Sequence, residues 1–343
     1  MQSLSGRRLL EQIEQFRHQW PDLYDAIDLT RISGSDCSLP IAEMASHTLD
    51  FESTSQGGRG ELYRHAQQNP MVRAVGIREL FVLASPGYDL RNLSPKSRIL
   101  DVLGGDGTLT RALSNLVLST SMPSILTSDL SEDMVAAAKV YGLASIHQPA
   151  QNLVLKDNCF DAVILAYGTH HIPPDQRLQV CQEAFRVLKP GGRIVLHDFE
   201  NNSPVARWFH EVVDRYSLTG HNFPHFTSEE IRQYLLSAGF GDVTIRYMYD
   251  PFVLSGDSAQ QVERQLGEHL LNMYGLVKLM DEQSNQHIWR SVYTLAFKYF
   301  QYDYQDMKLH ESLGVPYIQV SQRESRWSIE MPRVALVGTA MKG

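Results

Sequence analysis

The sequence predicts an α/β fold: a doubly wound parallel sheet, with a helical module before it and a helical insertion before its last strands. Two observations support this prediction. Between residues 97 and 249, short apolar runs alternate with segments of helical periodicity, an order typical of parallel sheets. Residues 99–113 read as an apolar strand, a glycine-rich turn and the start of a helix. Ligands of such sheets bind at the carboxyl ends of the strands.

The first 95 residues show no strand pattern. Apolar residues recur at helical spacing over 4–30, where Pro21 restarts the chain, and again over 71–83. The stretch 52–60 reads as a loop because it is rich in glycine and serine. We therefore predict a helical module over residues 1–95, which would serve as a lid over the ligand site or as a dimer surface.

Capping signals place the helices of the sheet domain, which we assign to residues 96–343. Ser131 is positioned to cap one helix, and Thr227 with Glu230 has the spacing of a capping box. Residues 243–249 then alternate between apolar and polar side chains, which predicts a strand.

Residues 256–312 interrupt the alternation of strands and helices. Two amphipathic segments, 262–279 and 288–300, are rich in Leu, Tyr and Phe, and they predict a helical insertion that covers the substrate pocket. Residues 326–340 read as two strands joined at Pro332. We expect these two strands to complete the sheet as an antiparallel hairpin.

Composition argues against several classes of partner. The formal net charge of -8 argues against a broad nucleic-acid interface, which needs clustered Lys and Arg. The three cysteines are widely spaced, which predicts neither a disulfide framework nor a cysteine-based metal site. The first residues lack the order of a signal peptide, and no apolar run approaches membrane-spanning length. We therefore expect a cytoplasmic protein that binds neither nucleic acid nor membrane.

The glycine-rich turn lies between two acids. Gly104, Gly105 and Gly107 let the backbone pass close to a ligand, but their spacing is not that of a pyrophosphate-binding turn. Asp101 would repel a pyrophosphate and attract an ammonium group. Asp129, at the end of the next strand, is placed to accept hydrogen bonds from two ribose hydroxyls. S-adenosylmethionine (SAM) has both groups, so we predict it as the cofactor.

With these motifs the chain resembles the class I SAM-dependent methyltransferases, whose sheet is Rossmann-like. The resemblance runs from about residue 97 to 249 and rests on four motifs in the expected order: the first motif, the ribose-binding acid, the fourth strand with its loop, and the turn into the fifth strand, at 101–107, 127–129, 158–171 and 188–196.

The chain departs from this family in two places. Leu103 stands where the first glycine is usual, so the turn must be a variant. The acid that commonly contacts the adenine amino group is absent around residues 149–151. The resemblance then leaves the adenine contact to Gln148, Ala150 or Gln151.

Histidines are the most conspicuous candidates for chemistry. His170 and His171 follow the fourth strand, His197 ends the fifth, and His221 and His225 lie in a later loop. These places converge above the cofactor in a parallel sheet, and neutral imidazoles with open positions suit a zinc or iron ion. Against this, paired histidines after the fourth strand occur in methyltransferases without a metal, and His197 could merely brace a loop.

With these histidines the chain resembles a smaller group, the metal-dependent C-methyltransferases of amino-acid-derived 2-oxo acids. That resemblance implies a homodimer and a biosynthetic role, with a divalent metal held by His170 or His171 together with His221 and His225. The acceptor would be a 2-oxo acid such as 5-guanidino-2-oxopentanoate, phenylpyruvate or 4-methyl-2-oxopentanoate. The metal would stabilise the enolate formed when the β-carbon loses a proton.

The sequence leaves the general base and the substrate contacts open. Tyr167, His197 or the histidine of the pair that does not bind metal could be the base. Tyr63, Arg64 and Arg73 could meet the substrate carboxylate, although exposed arginines are more often solvated. Two other functions fit the same motifs: a metal-independent O-methyltransferase with a histidine base, and a non-catalytic scaffold with a methyltransferase fold.

Overall fold

The predicted sheet forms the centre of the protein. The structure, a computed structural model, describes residues 11, 14–33, 49–279 and 287–343. The strands of this sheet are β1 (Arg98–Val102), β2 (Ser124–Asp129), β3 (Ser145–His147), β4 (Phe160–Leu165), β5 (Leu188–Asp198), β6 (Gly241–Tyr249) and β10 (Val334–Met341). These seven strands pair in the order β3-β2-β1-β4-β5-β10-β6, with β10 antiparallel to both of its neighbours.

Helices cover the sheet on both sides, as the doubly wound prediction requires. Ser131 and the Thr227–Glu230 capping box both form the predicted caps. The helices are α1 (Pro21–Tyr24), α2 (Leu29–Ser33), α3 (Gly60–Ala66), α4 (Ala74–Ala84), α5 (Thr108–Leu116), α6 (Glu132–Val140), α7 (Arg177–Val187), α8 (Pro204–Trp208), α9 (Asp214–Tyr216), α10 (Ser228–Ser237), α11 (Ala259–Tyr274) and α12 (Ile288–Tyr299).

The strands divide the hydrophobic core into two layers. Ile99 and Val195 belong to a cluster with α4, α5, α8 and α11, whereas their neighbours Leu100 and Leu196 belong to a cluster with α7 and α10. Successive side chains of a strand point to opposite faces of a sheet, so continuous apolar strands fill both layers. This burial leaves only the carboxyl ends of the strands for polar ligands.

Two helices lie within residues 256–312, whereas the prediction for residues 326–340 was wrong in part. Only β10 joins the main sheet. Residues 326–331 form a strand of a separate antiparallel sheet instead, because they pair with two strands that flank the insertion. The three strands are β7 (Phe252–Gly256), β8 (Gln319–Arg323) and β9 (Arg326–Met331), with α11 and α12 lying between β7 and β8.

The predicted N-terminal helices pack directly on the sheet domain. Ile77, Leu80 and Phe81 of α4 are fully buried in the same core cluster as Ile99. The early part of the 4–30 pattern and Cys37 lie outside the described residues. In the part of the chain that is described, no helix combines the length and apolar character needed to cross a bilayer.

Candidate active site

The glycine-rich turn joins β1 to α5 and has the variant geometry that the sequence predicts. Leu103 adopts a left-handed backbone, with φ of 62°, which a glycine would adopt at lower cost. At Gly104, a Cβ would lie 2.6 Å from an Asp101 carboxylate oxygen, and at Gly107 it would lie 2.1 Å from Leu143. The backbone therefore passes close to both acids of the predicted cofactor site.

The two predicted cofactor acids lie beside this turn, Asp101 buried and Asp129 half-buried. Asp129 accepts hydrogen bonds from the Gly105 amide at 2.8 Å and the Ser131 amide at 2.9 Å. One carboxylate oxygen of Asp101 has no partner among the described residues. Burial, reinforced by Asp129 and Asp106, raises the pKa of Asp101 well above its ordinary value, and burial also raises the pKa of Asp129. A cationic ligand would offset this cost.

The residues proposed for the adenine contact follow β3. Gln148 is buried; its side-chain oxygen accepts from the Val154 amide at 2.9 Å, while its side-chain nitrogen has no described partner. Ala150 is buried, and Gln151 donates to Gln176 at 3.0 Å. Gln148 is therefore the one of the three with a spare buried donor.

The structure brings together the four histidines predicted as metal ligands. The ring centroid of His170 lies 4.5 Å from His171, 5.1 Å from His221 and 4.6 Å from His225. One nitrogen from each of His170, His171 and His221 lies within 4.8 Å of the others. The loop after β4 and the loop before α10 therefore meet at one point, as expected for a parallel sheet.

Asp198, the last residue of β5, orients two of these imidazoles. Its carboxylate accepts hydrogen bonds from His170 Nδ1 at 2.9 Å and His225 Nδ1 at 3.0 Å, and also from the His170 amide and the Thr169 hydroxyl. Burial alone would raise the pKa of Asp198, but the two histidines outweigh it and hold that pKa well below the ordinary value. An ionised carboxylate only accepts, so both Nδ1 atoms carry the proton.

The opposite nitrogens of the cluster are left without partners. His170 Nε2, His171 Nδ1, His221 Nε2 and His225 Nε2 are buried and make no hydrogen bond within the described part of the chain. Burial, reinforced by the neighbouring histidines, lowers the pKa of His171 and His221, and burial lowers that of His170 despite Asp198. Neutral imidazoles held by a carboxylate are the donor set of a transition-metal site, and the residues present fit such an ion.

Aromatic side chains and a buried ion pair enclose the histidine cluster. Phe209 stacks on His221 with centroids 4.2 Å apart, and Phe51 meets His171 edge-on at 5.1 Å. Arg59 donates to Asp50 at 2.6 Å and to the Met273 carbonyl of α11 at 2.5 Å. The segment before α3 is thereby tied to α11 of the insertion.

The proposed general bases lie in a second group of buried side chains. Tyr167 donates a 2.9 Å hydrogen bond to Asp250, and burial together with Asp250 raises the pKa of that hydroxyl well above 10. His197 Nε2 lies 3.6 Å from Asp250, and its ring lies 4.5 Å from Tyr167. Arg333 forms an ion pair with Asp250. Tyr167 therefore stays protonated at neutral pH, and His197 lies apart from the metal-fitting set.

Sequence reasoning missed the carboxylates that organise these groups. Asp198 is adjacent to the predicted His197, so its place at the carboxyl end of β5 was a usable signal. Asp250 directly follows the predicted strand 243–249, which was a similar signal, whereas Asp50 had none because it reaches the site from the N-terminal segment through tertiary contacts.

Known proteins resemble the chain mainly across the main sheet. A family described as a methyltransferase domain matches residues 99–192. A demethylmenaquinone methyltransferase of Shouchella clausii is 32% identical over 172 residues, which cover 43% of this chain and 72% of that protein. A ubiquinone/menaquinone biosynthesis C-methyltransferase of Pseudomonas savastanoi is 30% identical over 138 residues. That match covers 38% of this chain and only 52% of the relative.

A solved structure is similar at lower identity. The SAM-dependent methyltransferase of Archaeoglobus fulgidus is 16% identical, with 70% of this chain and 88% of that chain covered and a TM-score of 0.38. The relation to the Shouchella clausii protein is the informative one, because its identity extends over most of that protein. It agrees with the strand order of the sheet and with the two acids at the glycine turn. The chain belongs to the class I SAM-dependent methyltransferases, and SAM is its cofactor.

Proposed function

We propose that this methyltransferase transfers the methyl group of SAM to the β-carbon of an amino-acid-derived 2-oxo acid, with a divalent zinc or iron ion at the histidine cluster. The observation that carries the proposal is the set of four buried imidazole nitrogens without partners. Leaving so many polar atoms unsatisfied is costly in an apolar interior, so a ligand for them is expected.

The residues of the chain have distinct parts in this proposal. His221, His225 and one or both of His170 and His171 would hold the ion, and Asp198 would fix the tautomer and direction of two rings. When bound, the ion would supply Lewis-acid stabilisation to the carbonyl group of the acceptor. His197 has no hydrogen-bond partner among the described residues and remains available to take a proton from the β-carbon.

The aromatic enclosure supports carbon methylation. Phe51, Phe209 and Phe223 surround the imidazoles and exclude water from the acceptor. A carbanion-like nucleophile needs that protection, because water would otherwise return its proton. The Pseudomonas savastanoi relative is a C-methyltransferase of ubiquinone/menaquinone biosynthesis, and its acceptor is not carried over to this chain, since only 52% of that protein is covered.

Metal content and product chemistry test the proposal together. Protein purified without chelator should contain about one zinc or iron ion per chain, as in a mononuclear site. His221→Ala and His225→Ala should lose that ion and the methylation of phenylpyruvate, while S-adenosylhomocysteine still binds. His210→Ala is the matched control, because His210 is exposed and outside the cluster.

The position of the methyl group separates the competing functions. The expected product carries a new carbon–carbon bond, which survives acid hydrolysis and can be assigned by NMR. Full activity after chelation, with an acid-labile or ether product on a hydroxylated acceptor, would instead establish a metal-independent O-methyltransferase. Failure to bind S-adenosylhomocysteine would indicate a scaffold.

A further inference from the structure

Arg73 is a buried cation that forms no ion pair with the part of the chain that the structure describes. It closes the 3-10 turn Pro70–Arg73 just before α4, and it is only 5% exposed. Its guanidinium lies 3.8 Å above the Tyr167 ring and 5.6 Å from the Phe252 ring. Its Nε makes no hydrogen bond, and no carboxylate of the described residues forms an ion pair with it.

Asp250 compensates the charge of Arg73 only in part. Asp250 is already engaged by Arg333, which donates to its backbone carbonyl at 2.9 Å and pairs with its carboxylate. Asp250 also accepts from Tyr167. One positive charge is therefore left over in this buried group, and a buried charge without a partner is strongly unfavourable.

The same excess of positive charge acts on His269. Burial, with Arg73 and Arg333 as further causes, lowers its pKa to about 3, so the imidazole is neutral. Its Nε2 is buried and has no partner within the described residues. The His269 ring packs against Phe252 at 4.8 Å, the same ring that faces Arg73. His269 Nε2 is thus a second buried polar atom near Arg73 that is available to a ligand.

We infer that Arg73 binds the carboxylate of the methyl acceptor, which makes the acceptor an acid and excludes a neutral one. This inference deepens the proposed function and rests on it for the identity of the acceptor. The planar guanidinium presents paired N–H donors that match a carboxylate. Stacking on Tyr167 occupies the face of the guanidinium and leaves the donors at the edge of its plane free. Arg73 stacks on Tyr167, which lies three residues before His170, so the arginine packs against the segment that carries the histidine pair.

The surroundings of Arg73 favour the acceptor over the carboxylate of SAM itself. Phe252, His269 and Arg333 belong to the insertion or border it, whereas the cofactor acids follow β1 and β2. The insertion is the part of the chain predicted to cover the substrate. The same carboxylate chemistry could nevertheless come from either molecule, and the experiment separates the two.

Oxalate is a suitable probe because it presents planar carboxylates without a side chain. Calorimetry measures oxalate binding to the full-length protein saturated with S-adenosylhomocysteine, and S-adenosylhomocysteine binding is measured separately. Arg73→Gln should weaken oxalate binding roughly 10- to 100-fold, as expected for loss of a charge-assisted hydrogen-bond pair. Arg73→Lys should lose less, because it keeps the charge without the planar fork.

The matched control is Arg78→Gln on α4, which removes an exposed charge five residues away. It should leave oxalate binding at the wild-type value. Circular dichroism and thermal unfolding confirm that each variant is folded. Unchanged oxalate binding in Arg73→Gln, or no oxalate binding by the wild-type protein, overturns the inference. A loss confined to S-adenosylhomocysteine also overturns it and assigns Arg73 to the cofactor.

The result is distinguishable from failure of the proposed function. If the protein holds no metal but Arg73→Gln still weakens oxalate binding, the metal proposal fails and the role of Arg73 stands. If metal and 2-oxo acid methylation are present while Arg73→Gln binds oxalate normally, only the inference about Arg73 fails.

Discussion

Asp198 is the residue that makes the histidine cluster a coherent site. Two imidazoles from different loops donate to the same carboxylate, and the Phe199 amide donates to it as well at 2.7 Å. Because both rings are fixed by their Nδ1 atoms, their Nε2 atoms are directed before any ligand arrives. A site prepared in this way avoids part of the ordering cost of binding.

Asp198→Asn should weaken zinc binding about 10- to 100-fold, because an amide cannot accept from both rings and at the same time leave them in the correct tautomer. Competition with a metallochromic chelator measures the affinity. The control Asp175→Asn alters an exposed acid near the start of α7 and should leave zinc affinity unchanged. Equal affinities in the two variants would show that Asp198 does not orient metal ligands.

Asp129 offers an independent test at the cofactor end. Asp129→Asn should lower S-adenosylhomocysteine affinity roughly 10- to 100-fold, because the ionised acceptor expected to hold the ribose hydroxyls is lost. Calorimetry gives the dissociation constant. Asp242→Asn, which alters an exposed acid at the start of β6, is the isosteric control. The role assigned to Asp129 would be wrong if both variants bound equally well.

At the scale of the elements, sequence and structure agree best where the pattern is local. Neighbouring residues determine the caps at Ser131 and Thr227 and the strand that leads into the glycine-rich turn, so these features could be predicted. The pairing of residues 326–331 could not be, because an apolar strand does not reveal which partner it will find. The sequence likewise predicted the histidines of the site, whereas the pairing of Asp198 with His225 and of Asp250 with Arg333 depends on contacts between distant segments.

The insertion depends on close contact between α11 and α12. A Cβ at Gly267 of α11 would lie 2.2 Å from the backbone oxygen of Trp289 in α12. Gly267→Ala should therefore lower the free energy of unfolding by about 1–3 kcal/mol, despite the better helix propensity of alanine. Urea denaturation measures the change. Gly241→Ala, where the added Cβ meets nothing within 4 Å, should be nearly neutral, and equal losses in both would refute the packing argument.

For the molecule as a whole, buried neutral imidazoles make stability depend on pH. His269 has a folded-state pKa of about 3, below the unfolded value of about 6.5. As the pH falls below about 6.5, His269 takes up a proton in the unfolded chain but stays neutral in the folded chain, so folding stability is lost. This group alone should remove about 2 kcal/mol between pH 7.5 and 5.

Urea denaturation of the wild type and His269→Gln at pH 7.5, 6.5 and 5 tests this dependence, with chelator present throughout. The variant should lose less stability on acidification, whatever its stability at pH 7.5. Parallel curves for the two proteins would mean that the His269 imidazole takes up its proton in the folded state as readily as in the unfolded chain.

The placement of β10 has a consequence for how the chain is made. This strand lies between β5 and β6, yet the whole insertion separates it in sequence from β6. During synthesis on the ribosome, β5 and β6 emerge long before β10, and until then each has an edge without a pairing strand. The helices α11 and α12 have time to form first. Assembly of the main sheet would then be completed only when β10 emerges. Premature termination within the insertion would leave β5 and β6 with unpaired edges, and the released chain would be prone to aggregation through them.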